Sequence, residues 1–281
     1  MLLGGNVFID GHDPDAYVAA HVKKGYKAAY CPDWLNTDTD KVACKAFTDA
    51  LNKNNIVLAE VGIWRNVLSK DSAEAKAAID YSIRRLTTAE ELGARCAVNV
   101  IGSWSEESWD GASALNYTQD FFDAAVVAAR QVIDAVKPVR TKMTFELMPN
   151  AFIDSAEEYM RLLKAIDRPA AGIHLDPTNC IASPRLLYNN AEFFKKEFAI
   201  LGDAICSIHI KDIDLDNDTF TVHLTERIIG EGAIDYINLL HLIDKLPQDT
   251  PVMLEHLATE AEYDKAAENF RSLAKQAGIN M

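Results

Sequence analysis

Length, composition and charge limit what kind of protein this chain can be. Its 281 residues are 49% hydrophobic and 25% charged, and the formal net charge is −14. That length suits one (β/α)8 barrel, which typically needs ~250 residues. The acidic excess argues against nucleic acids and anionic membranes as partners, because charges of the same sign repel each other.

The cysteines and the first residues indicate a cytoplasmic protein. The five cysteines are widely spaced and include no CxxC pair, so neither a disulfide framework nor a zinc knuckle is indicated. The first ten residues lack the basic and apolar runs of a secretory signal, and no stretch is apolar enough to span a bilayer. We therefore expect the cytoplasm as the location.

Short apolar segments alternate with longer amphipathic segments along the chain. Short runs that are apolar at successive positions are typical of parallel strands covered on both faces. The predicted strands are Asn6–Ile9, Ala28–Cys31, Ile56–Val61, Cys96–Val100, Met143–Leu147, Ala171–Leu175, Ile205–Ile210 and Val252–Glu255. Start and stop signals place helices between them. These are Asp15–Lys24, Asp38 to about Asn54, Ser72 up to Gly93, Gln119–Val136, Ala156–Ile166, Asn190–Leu201, Ile234–Leu246 and Glu262–Gln276.

Eight strand–helix repeats without a break in composition predict a single (β/α)8 TIM barrel domain over residues 1–281. An open doubly wound sheet is the competing α/β architecture. That sheet would usually carry a glycine-rich phosphate turn after its first strand. The sequence there is Asp10-Gly11-His12-Asp13, which lacks the required glycine spacing. The barrel is therefore the preferred fold.

Polar side chains end four consecutive predicted strands, at the end of the barrel where active sites lie. Glu146, Asp176, His209 and Glu255 follow or end the fifth to eighth strands. Any one of them alone is more often a solvated loop residue or a core histidine. Together, three carboxylates in one cleft would carry costly uncompensated charge, which a divalent cation relieves. The donor set suits Mn²⁺ best, with Mg²⁺, Co²⁺ or Zn²⁺ as alternatives.

The order Glu, Asp, His, Glu at these strand ends resembles the xylose-isomerase-like family of sugar isomerases and epimerases. In the N-terminal half only the strand–helix rhythm and Glu60, at the end of the third strand, match. The matching motifs of the C-terminal half are Phe145-Glu146, His174-Leu175-Asp176-Pro177-Thr178-Asn179, His209-Ile210-Lys211-Asp212, Gly230-Glu231-Gly232 and Leu254-Glu255-His256. The resemblance implies one divalent metal held by Glu146, Asp176, His209 and Glu255. It also implies that Glu146 and Glu255 act as the acid/base pair.

The reaction implied by the resemblance is the isomerisation or epimerisation of a ketose or keto-sugar. A cation chelated by neighbouring substrate oxygens acidifies the adjacent C–H group and stabilises the enediolate. Two carboxylates can then remove a proton and return it elsewhere. One alternative is a dehydratase or lyase that acts on an inosose-like or 3-keto-sugar by β-elimination. Another is a non-catalytic sugar-binding or partner subunit.

Further residues near the strand ends are expected to bind the substrate. Asn179 stands where epimerases of the family often carry a histidine, and it can hold a water or a sugar hydroxyl. Leu215 stands where they often carry an arginine, and Arg227 is expected to supply that cation. Trp104, like Trp64 and Trp109, follows a predicted strand and could line a sugar-binding wall. The expected substrate-binding residues are Glu60, His174, Asn179, Lys211, Arg227 and Trp104.

The partner is expected to be a small sugar or keto-sugar. Relatives that cleave abasic DNA share these strands but need three zinc ions and extra histidines. Glu60-Val61 and Leu224-Thr225-Glu226 leave those positions without histidine. The run Asp212–Asp218 is expected to be a solvated acidic loop. Barrels of this type commonly pair through loops over the mouth, so a homo-oligomer is compatible with the sequence.

Overall fold

The computed structural model describes residues 1–36 and 40–281. This part of the chain contains ten strands. They are Leu2–Gly4 (β1), Ala28–Tyr30 (β2), Val57–Gly62 (β3), Cys96–Asn99 (β4), Lys142–Glu146 (β5), Ala171–Leu175 (β6), Ile205–Ile210 (β7), Asp212–Leu215 (β8), Leu224–Arg227 (β9) and Pro251–Leu254 (β10).

Eight of these strands close a parallel barrel in the order β1-β10-β7-β6-β5-β4-β3-β2, and β8 and β9 form a separate hairpin. The register sets the neighbours of the polar residues near the strand ends. Glu146 of β5 pairs with His174 of β6, and Met253 of β10 pairs with His209 of β7. The predicted (β/α)8 TIM barrel is confirmed.

Helices follow the barrel strands and cover them. They are Pro14–Lys24 (α1), Lys41–Lys53 (α2), Ser72–Leu92 (α3), Gln119–Val136 (α4), Ala156–Ile166 (α5), Pro184–Leu187 (α6), Asn190–Leu201 (α7), Tyr236–Ile243 (α8) and Glu260–Gln276 (α9). The predicted start of the second helix, Asp38, lies outside the described residues. Among the helices described, none is both long enough and apolar enough to cross a membrane.

The main apolar core lies between the strands and the helices. It joins strand residues such as Ile208 and Leu254 to helix residues such as Phe194 and Phe270, all of which are fully buried. The helix boundaries are set by local capping. Asp71 accepts hydrogen bonds from the first turn of α3, and Gly93 ends that helix in the left-handed conformation with φ 74°.

The first strand lies earlier than the sequence predicted. Asn6–Ile9 was expected, but β1 is Leu2–Gly4. Glycine usually weakens a strand, so the sequence around Gly4 did not predict one. Here its missing side chain allows close packing, because a Cβ at Gly4 would lie 2.4 Å from the carbonyl oxygen of Ala28. Asn6 instead donates a hydrogen bond to the Tyr263 hydroxyl at 2.7 Å.

The expected solvated loop at Asp212–Asp218 is wrong for its first four residues, which form β8, whereas Asn217 and Asp218 are exposed as expected. Strand β8 pairs antiparallel with β9, and Asp212 lies opposite Arg227. The carboxylate of Asp212 is fully buried. Charge density alone suggested solvation, whereas backbone N–H groups here replace the water. The donors lie at 2.9 to 3.2 Å and belong to Ile213, Gly230, Gly232 and Ile234.

Tyr159 of α5 connects β5 to β6 close to the strand ends. Its buried hydroxyl accepts hydrogen bonds from the backbone N–H groups of Phe145, at 2.8 Å, and His174, at 3.3 Å. Its own hydrogen points to the carbonyl group of Phe145. The hydroxyl therefore fixes two strands that carry site residues at their ends.

Replacing Tyr159 with Phe is expected to lower the free energy of unfolding by about 1–3 kcal/mol, because two buried N–H groups lose an acceptor. Urea unfolding measures the difference. Tyr188 is 63% exposed, so Tyr188→Phe is the matched control, with an expected change within about 0.5 kcal/mol. If Tyr159→Phe is as stable as the control, the hydroxyl does not hold the strands together.

Candidate active site

The predicted metal ligands meet at the C-terminal ends of the barrel strands. Glu146 ends β5, Asp176 follows β6, His209 lies in β7 and Glu255 follows β10, and all four are buried. Carboxylate oxygens of Glu146, Asp176 and Glu255 lie within 4.8 Å of one another, as do ligand atoms of Glu146, His174 and His209. Glu146 belongs to both groups, so one cluster contains all four predicted ligands.

His209 links the carboxylates of this cluster. Its Nδ1 atom lies 2.6 Å from Glu255 Oε2 and 3.3 Å from Glu146 Oε1. Its Nε2 atom lies 2.8 Å from Glu60 Oε1. Burial alone would lower the pKa of His209, but the negative charges of Glu255 and Glu60 outweigh burial and raise that pKa well above its ordinary value. In this arrangement His209 is therefore a cation among carboxylates.

Glu60 and His174 support His209. The carboxylate of Glu60 accepts a hydrogen bond from Ser207 Oγ at 3.2 Å, and its other oxygen faces His209. The ring of His174 meets that of His209 edge-on, with centroids 4.1 Å apart. Burial, together with the positive charge of His209, lowers the pKa of His174 to about 4, so His174 is neutral. These two residues therefore orient the imidazole of His209.

Lys211 places a buried ammonium group against two of the predicted ligands. Its Nζ atom lies 2.8 Å from Asp176 Oδ2, 2.7 Å from Glu255 Oε1 and 3.3 Å from Glu226 Oε1. The side chain is only 5% exposed. Burial opposes its charge, but Asp176 and Glu255 outweigh burial and raise the pKa of Lys211. Lys211 thus neutralises part of the carboxylate cluster.

Asp176 uses its two oxygens differently. Oδ1 accepts hydrogen bonds from the backbone N–H of Thr178 at 2.9 Å, the hydroxyl of Thr178 at 2.6 Å and the backbone N–H of Asn179 at 3.2 Å. Among the residues that the structure describes, none makes a hydrogen bond of good geometry to Oδ2, and its ion-pair partner is Lys211. Burial raises the pKa of Asp176 to about 7, although Lys211 opposes the shift. Oδ2 is therefore the oxygen of Asp176 that could bind a metal ion, because Oδ1 is occupied by hydrogen bonds.

A cavity of about 660 Å³, called the mouth cavity below, opens in front of the cluster. Cavities that take small ligands commonly span roughly 300–1,000 Å³. The predicted residues that line it are Glu60, Glu146, Asn179, Lys211, His209 and Glu255. Tyr30, Trp64 and Trp109 also line it. The cavity therefore has room for a small polar molecule beside the carboxylates.

Three predicted substrate-binding residues lie away from this cavity. His174 is fully buried behind His209. Trp104 packs edge-on against Phe121, with ring centroids 5.0 Å apart. Arg227 is exposed on β9 and lines a smaller pocket of about 170 Å³ that adjoins Lys211. Tryptophans that follow successive strands look alike in sequence, and the loop conformation decides which one faces the cavity.

Glu226 and His256 line the mouth cavity but were not predicted. Glu226 Oε1 lies 2.8 Å from His256 Nδ1. His256 has a φ of 53°, an uncommon conformation for a residue other than glycine. The sequence feature that could have indicated His256 was its position directly after Glu255. Glu226 gave no signal, because the β8–β9 hairpin that carries it was not predicted.

The family of this chain is decided by its sequence together with its fold. Residues 18–275 match the sequence profile of the xylose isomerase-like TIM barrel. The chain belongs to this family. Members of the xylose isomerase-like TIM barrel family include sugar-modifying enzymes, among them epimerases, a dehydratase and a decarboxylase.

Individual relatives are distant. A 3-oxo-isoapionate decarboxylase from Pectobacterium atrosepticum is 24% identical over 181 residues, which span 64% of this chain and only 58% of the relative. A D-psicose 3-epimerase from Clostridium cellulolyticum H10, solved with D-tagatose, has a TM-score of 0.72 at 14% identity, with 100% of both chains covered. A xylose isomerase-like TIM barrel protein from Mycobacterium smegmatis, solved with magnesium, has a TM-score of 0.66 at 14% identity, covering 94% of this chain and 87% of that one. At these identities the two structures establish the shared fold.

Replacing Lys211 with Met is expected to lower the free energy of unfolding by about 3–5 kcal/mol in chelator, because Asp176 and Glu255 lose a buried counter-charge. Urea unfolding in EDTA measures the loss. Lys195 forms an exposed ion pair with Glu192, so Lys195→Met is the matched control and should cost less than about 1 kcal/mol. Equal losses in the two variants would mean that the cluster does not depend on Lys211.

Proposed function

We propose that the protein is a divalent-metal-dependent isomerase or epimerase of a ketose or keto-sugar. The observation that carries this proposal is the buried cluster of Glu146, Asp176, His209 and Glu255 from four barrel strands. The cluster faces a cavity of about 660 Å³, which suits a small polar substrate. Membership of a family that contains sugar-modifying enzymes supports the same reaction class.

The donor chemistry of the cluster fits a divalent cation. Glu146, Asp176 and Glu255 would supply carboxylate oxygens, and His209 would supply a ring nitrogen once it has given up the proton that it carries among the carboxylates. Such an oxygen-rich set favours Mn²⁺ or Mg²⁺, with Mn²⁺ as the first choice and Co²⁺ or Zn²⁺ as alternatives. Asp176 Oδ2, which is buried and already faces the ammonium group of Lys211, supports this fit because it lies where positive charge is favoured. A bound cation would polarise the substrate oxygens and stabilise the negative charge that develops on them.

Glu146 and Glu255 are the residues that we assign to proton transfer. Both side chains line the mouth cavity, and they approach it from different strands. Burial alone would raise the pKa of Glu255, but His209 and Lys211 outweigh burial and hold that pKa well below its ordinary value. Glu255 is therefore ionised at neutral pH and available to accept a proton from the carbon next to the substrate carbonyl. Glu146, holding a proton of its own, would then deliver it to the substrate and end the step as a carboxylate, while Glu255 keeps the proton taken from carbon until solvent removes it.

Asn179 and Trp64 are assigned to positioning. Asn179 Nδ2 donates hydrogen bonds to Glu146 Oε1 at 3.2 Å and to the carbonyl oxygen of Leu147 at 3.1 Å. These contacts hold the Glu146 carboxylate in one orientation. The indole of Trp64 lies nearly parallel to the His209 ring, with centroids 6.2 Å apart. Its face gives the mouth cavity an apolar wall against which the C–H groups of a sugar can pack.

A lyase that acts on an inosose-like or 3-keto-sugar is the second candidate. The similarity to a decarboxylase favours it. Decarboxylation and β-elimination both need a carbanion that an adjacent carbonyl group stabilises. The lyase would share the proton removal by a glutamate and would differ in losing a leaving group from the neighbouring carbon.

Removal of metal by EDTA is expected to abolish turnover, and about one equivalent of Mn²⁺ per chain should restore it. Asp176→Asn is expected to weaken Mn²⁺ binding at least about tenfold, because the site loses a carboxylate charge. Isothermal titration calorimetry measures the stoichiometry and the affinity. Asp218→Asn, at an exposed position, is the matched control. A metal-free protein that stays fully active in chelator would overturn the metal assignment.

In deuterated water, turnover is expected to label the reacting carbon of the product. Glu146→Gln and Glu255→Gln should each slow net conversion at least about 100-fold, because each removes one proton carrier. One of the two variants is expected to retain exchange into unconverted substrate, since the remaining glutamate still works on its own face. Proton NMR of both sugars measures label and conversion. Glu192→Gln, at an exposed glutamate, is the control.

Other outcomes of this experiment change the assignment. A product that lacks the elements of water, or an aglycone, would identify the lyase. If no sugar, keto-sugar or inosose exchanges label or eliminates at saturating metal, both catalytic proposals are wrong. The non-catalytic sugar-binding subunit would then replace them.

A further inference from the structure

A second cavity, of about 840 Å³, lies beside the mouth cavity. We call it the side groove and define it by Trp64, Arg65, Tyr81, Arg84, Ser105 and Trp109. Trp64 and Trp109 line both cavities, so the two spaces meet at these indoles. Any substrate that extends beyond the mouth cavity past these two residues would enter the side groove.

Three aromatic rings line the side groove, those of Trp64, Tyr81 and Trp109. Trp64 has a φ of 51°. Such strain in a residue other than glycine is concentrated at functional sites. A Cβ at Gly62 would lie 2.3 Å from Trp64 Nε1, so the missing side chain leaves room for the indole. The backbone therefore places a large aromatic ring at the junction of the two cavities.

The two loops that carry the tryptophans are tied together. Asn66, two residues after Trp64, donates a hydrogen bond from Nδ2 to the carbonyl oxygen of Ser103 at 2.8 Å, and its Oδ1 accepts from the backbone N–H of Ser103 at 3.0 Å. Asn116 donates from Nδ2 to the carbonyl oxygen of Gly111 at 3.0 Å, on the loop that holds Trp109. The side groove is therefore preformed, which reduces the cost of ordering it around a ligand.

The charges of the side groove favour a neutral occupant. The guanidinium groups of Arg65 and Arg84 lie over the Tyr81 ring, at 4.7 and 5.6 Å from its centroid. Three carboxylates line the same space, so two cations face three anions, and a phosphate or carboxylate ligand gains little. These carboxylates belong to Glu74, Glu106 and Glu107. Aromatic faces combined with planar charged groups suit the C–H faces and hydroxyls of a sugar.

We propose that the side groove is a subsite for a second, neutral glycosyl unit. The substrate would then be a glycoside or disaccharide whose reacting ring occupies the mouth cavity, with Trp64 and Trp109 beside the linkage. The assignment rests on the proposed function for the role of the mouth cavity. It names the substrate class that the sequence left open.

Calorimetric titration of the Mn²⁺-supplemented protein tests the subsite, with glucose, maltose, cellobiose, lactose and trehalose as probes. At least one disaccharide is expected to bind about tenfold more tightly than glucose, the gain that one good aromatic contact provides. Tyr81→Ala and Arg84→Ala should each bring the ratio of the two dissociation constants towards one. Tyr188→Ala, at a distant exposed tyrosine, should leave the ratio unchanged. Arg84 is exposed, so its variant tests the subsite even if Tyr81→Ala does not fold.

The subsite is overturned if the wild type binds glucose and every disaccharide with similar dissociation constants, or if both variants keep the wild-type preference. This holds even when the protein incorporates deuterium into a monosaccharide. Preferential binding of gluconate or glucose 6-phosphate that depends on Arg84 overturns the neutral occupant. A disaccharide gain that needs Tyr81 and Arg84 supports the subsite. If such a gain is found while no sugar exchanges deuterium, the proposed function fails and the subsite stands.

Discussion

Repulsion between buried carboxylates is the constraint on which the mouth of this barrel depends. Glu60, Glu146, Asp176 and Glu255 all lie where water is largely excluded. Such groups remain ionised only beside positive charge. Within the described part of the site, that charge comes from His209 and from the ammonium group of Lys211. The positions of both side chains are therefore consequences of electrostatics as much as of packing.

The β8–β9 hairpin joins this electrostatic arrangement to the rest of the fold. Asp212, at its base, accepts hydrogen bonds from backbone N–H groups and so fixes the segment from Gly230 to Ile234. Glu226, on its return strand, reaches both Lys211 and His256. Glu226 lies opposite Ile213, next to the pair of Asp212 and Arg227, so the same base of the hairpin is anchored in the protein and contributes to the cavity wall. The β8–β9 hairpin, a short insertion between β7 and α8, therefore contributes a charged side chain to the mouth cavity.

The barrel, and the meeting of the four candidate ligands at its mouth, could be predicted because they depend on short local patterns. A short apolar run that ends in Glu146 or Glu255 can be recognised from the local sequence alone. Barrel closure then brings the ends of such strands together. The hairpin could not be predicted, because backbone donors that hold Asp212 at its base lie 18 to 22 positions later in the sequence. The choice of Trp64 over Trp104 as a cavity wall depended on a loop conformation that residue type does not encode.

The contact between Glu60 and His209 spans the barrel, from β3 in one half of the chain to β7 in the other. The N-terminal half provides none of the four candidate ligands, yet it supplies the carboxylate that orients one of them. A half-barrel made only of the later strands would hold its imidazole without this restraint. The ligand cluster therefore reaches its final geometry only when the sheet has closed. Two half-barrels, whether joined by gene fusion or mixed as separate fragments, could form this candidate ligand cluster only by closing the eight-stranded barrel.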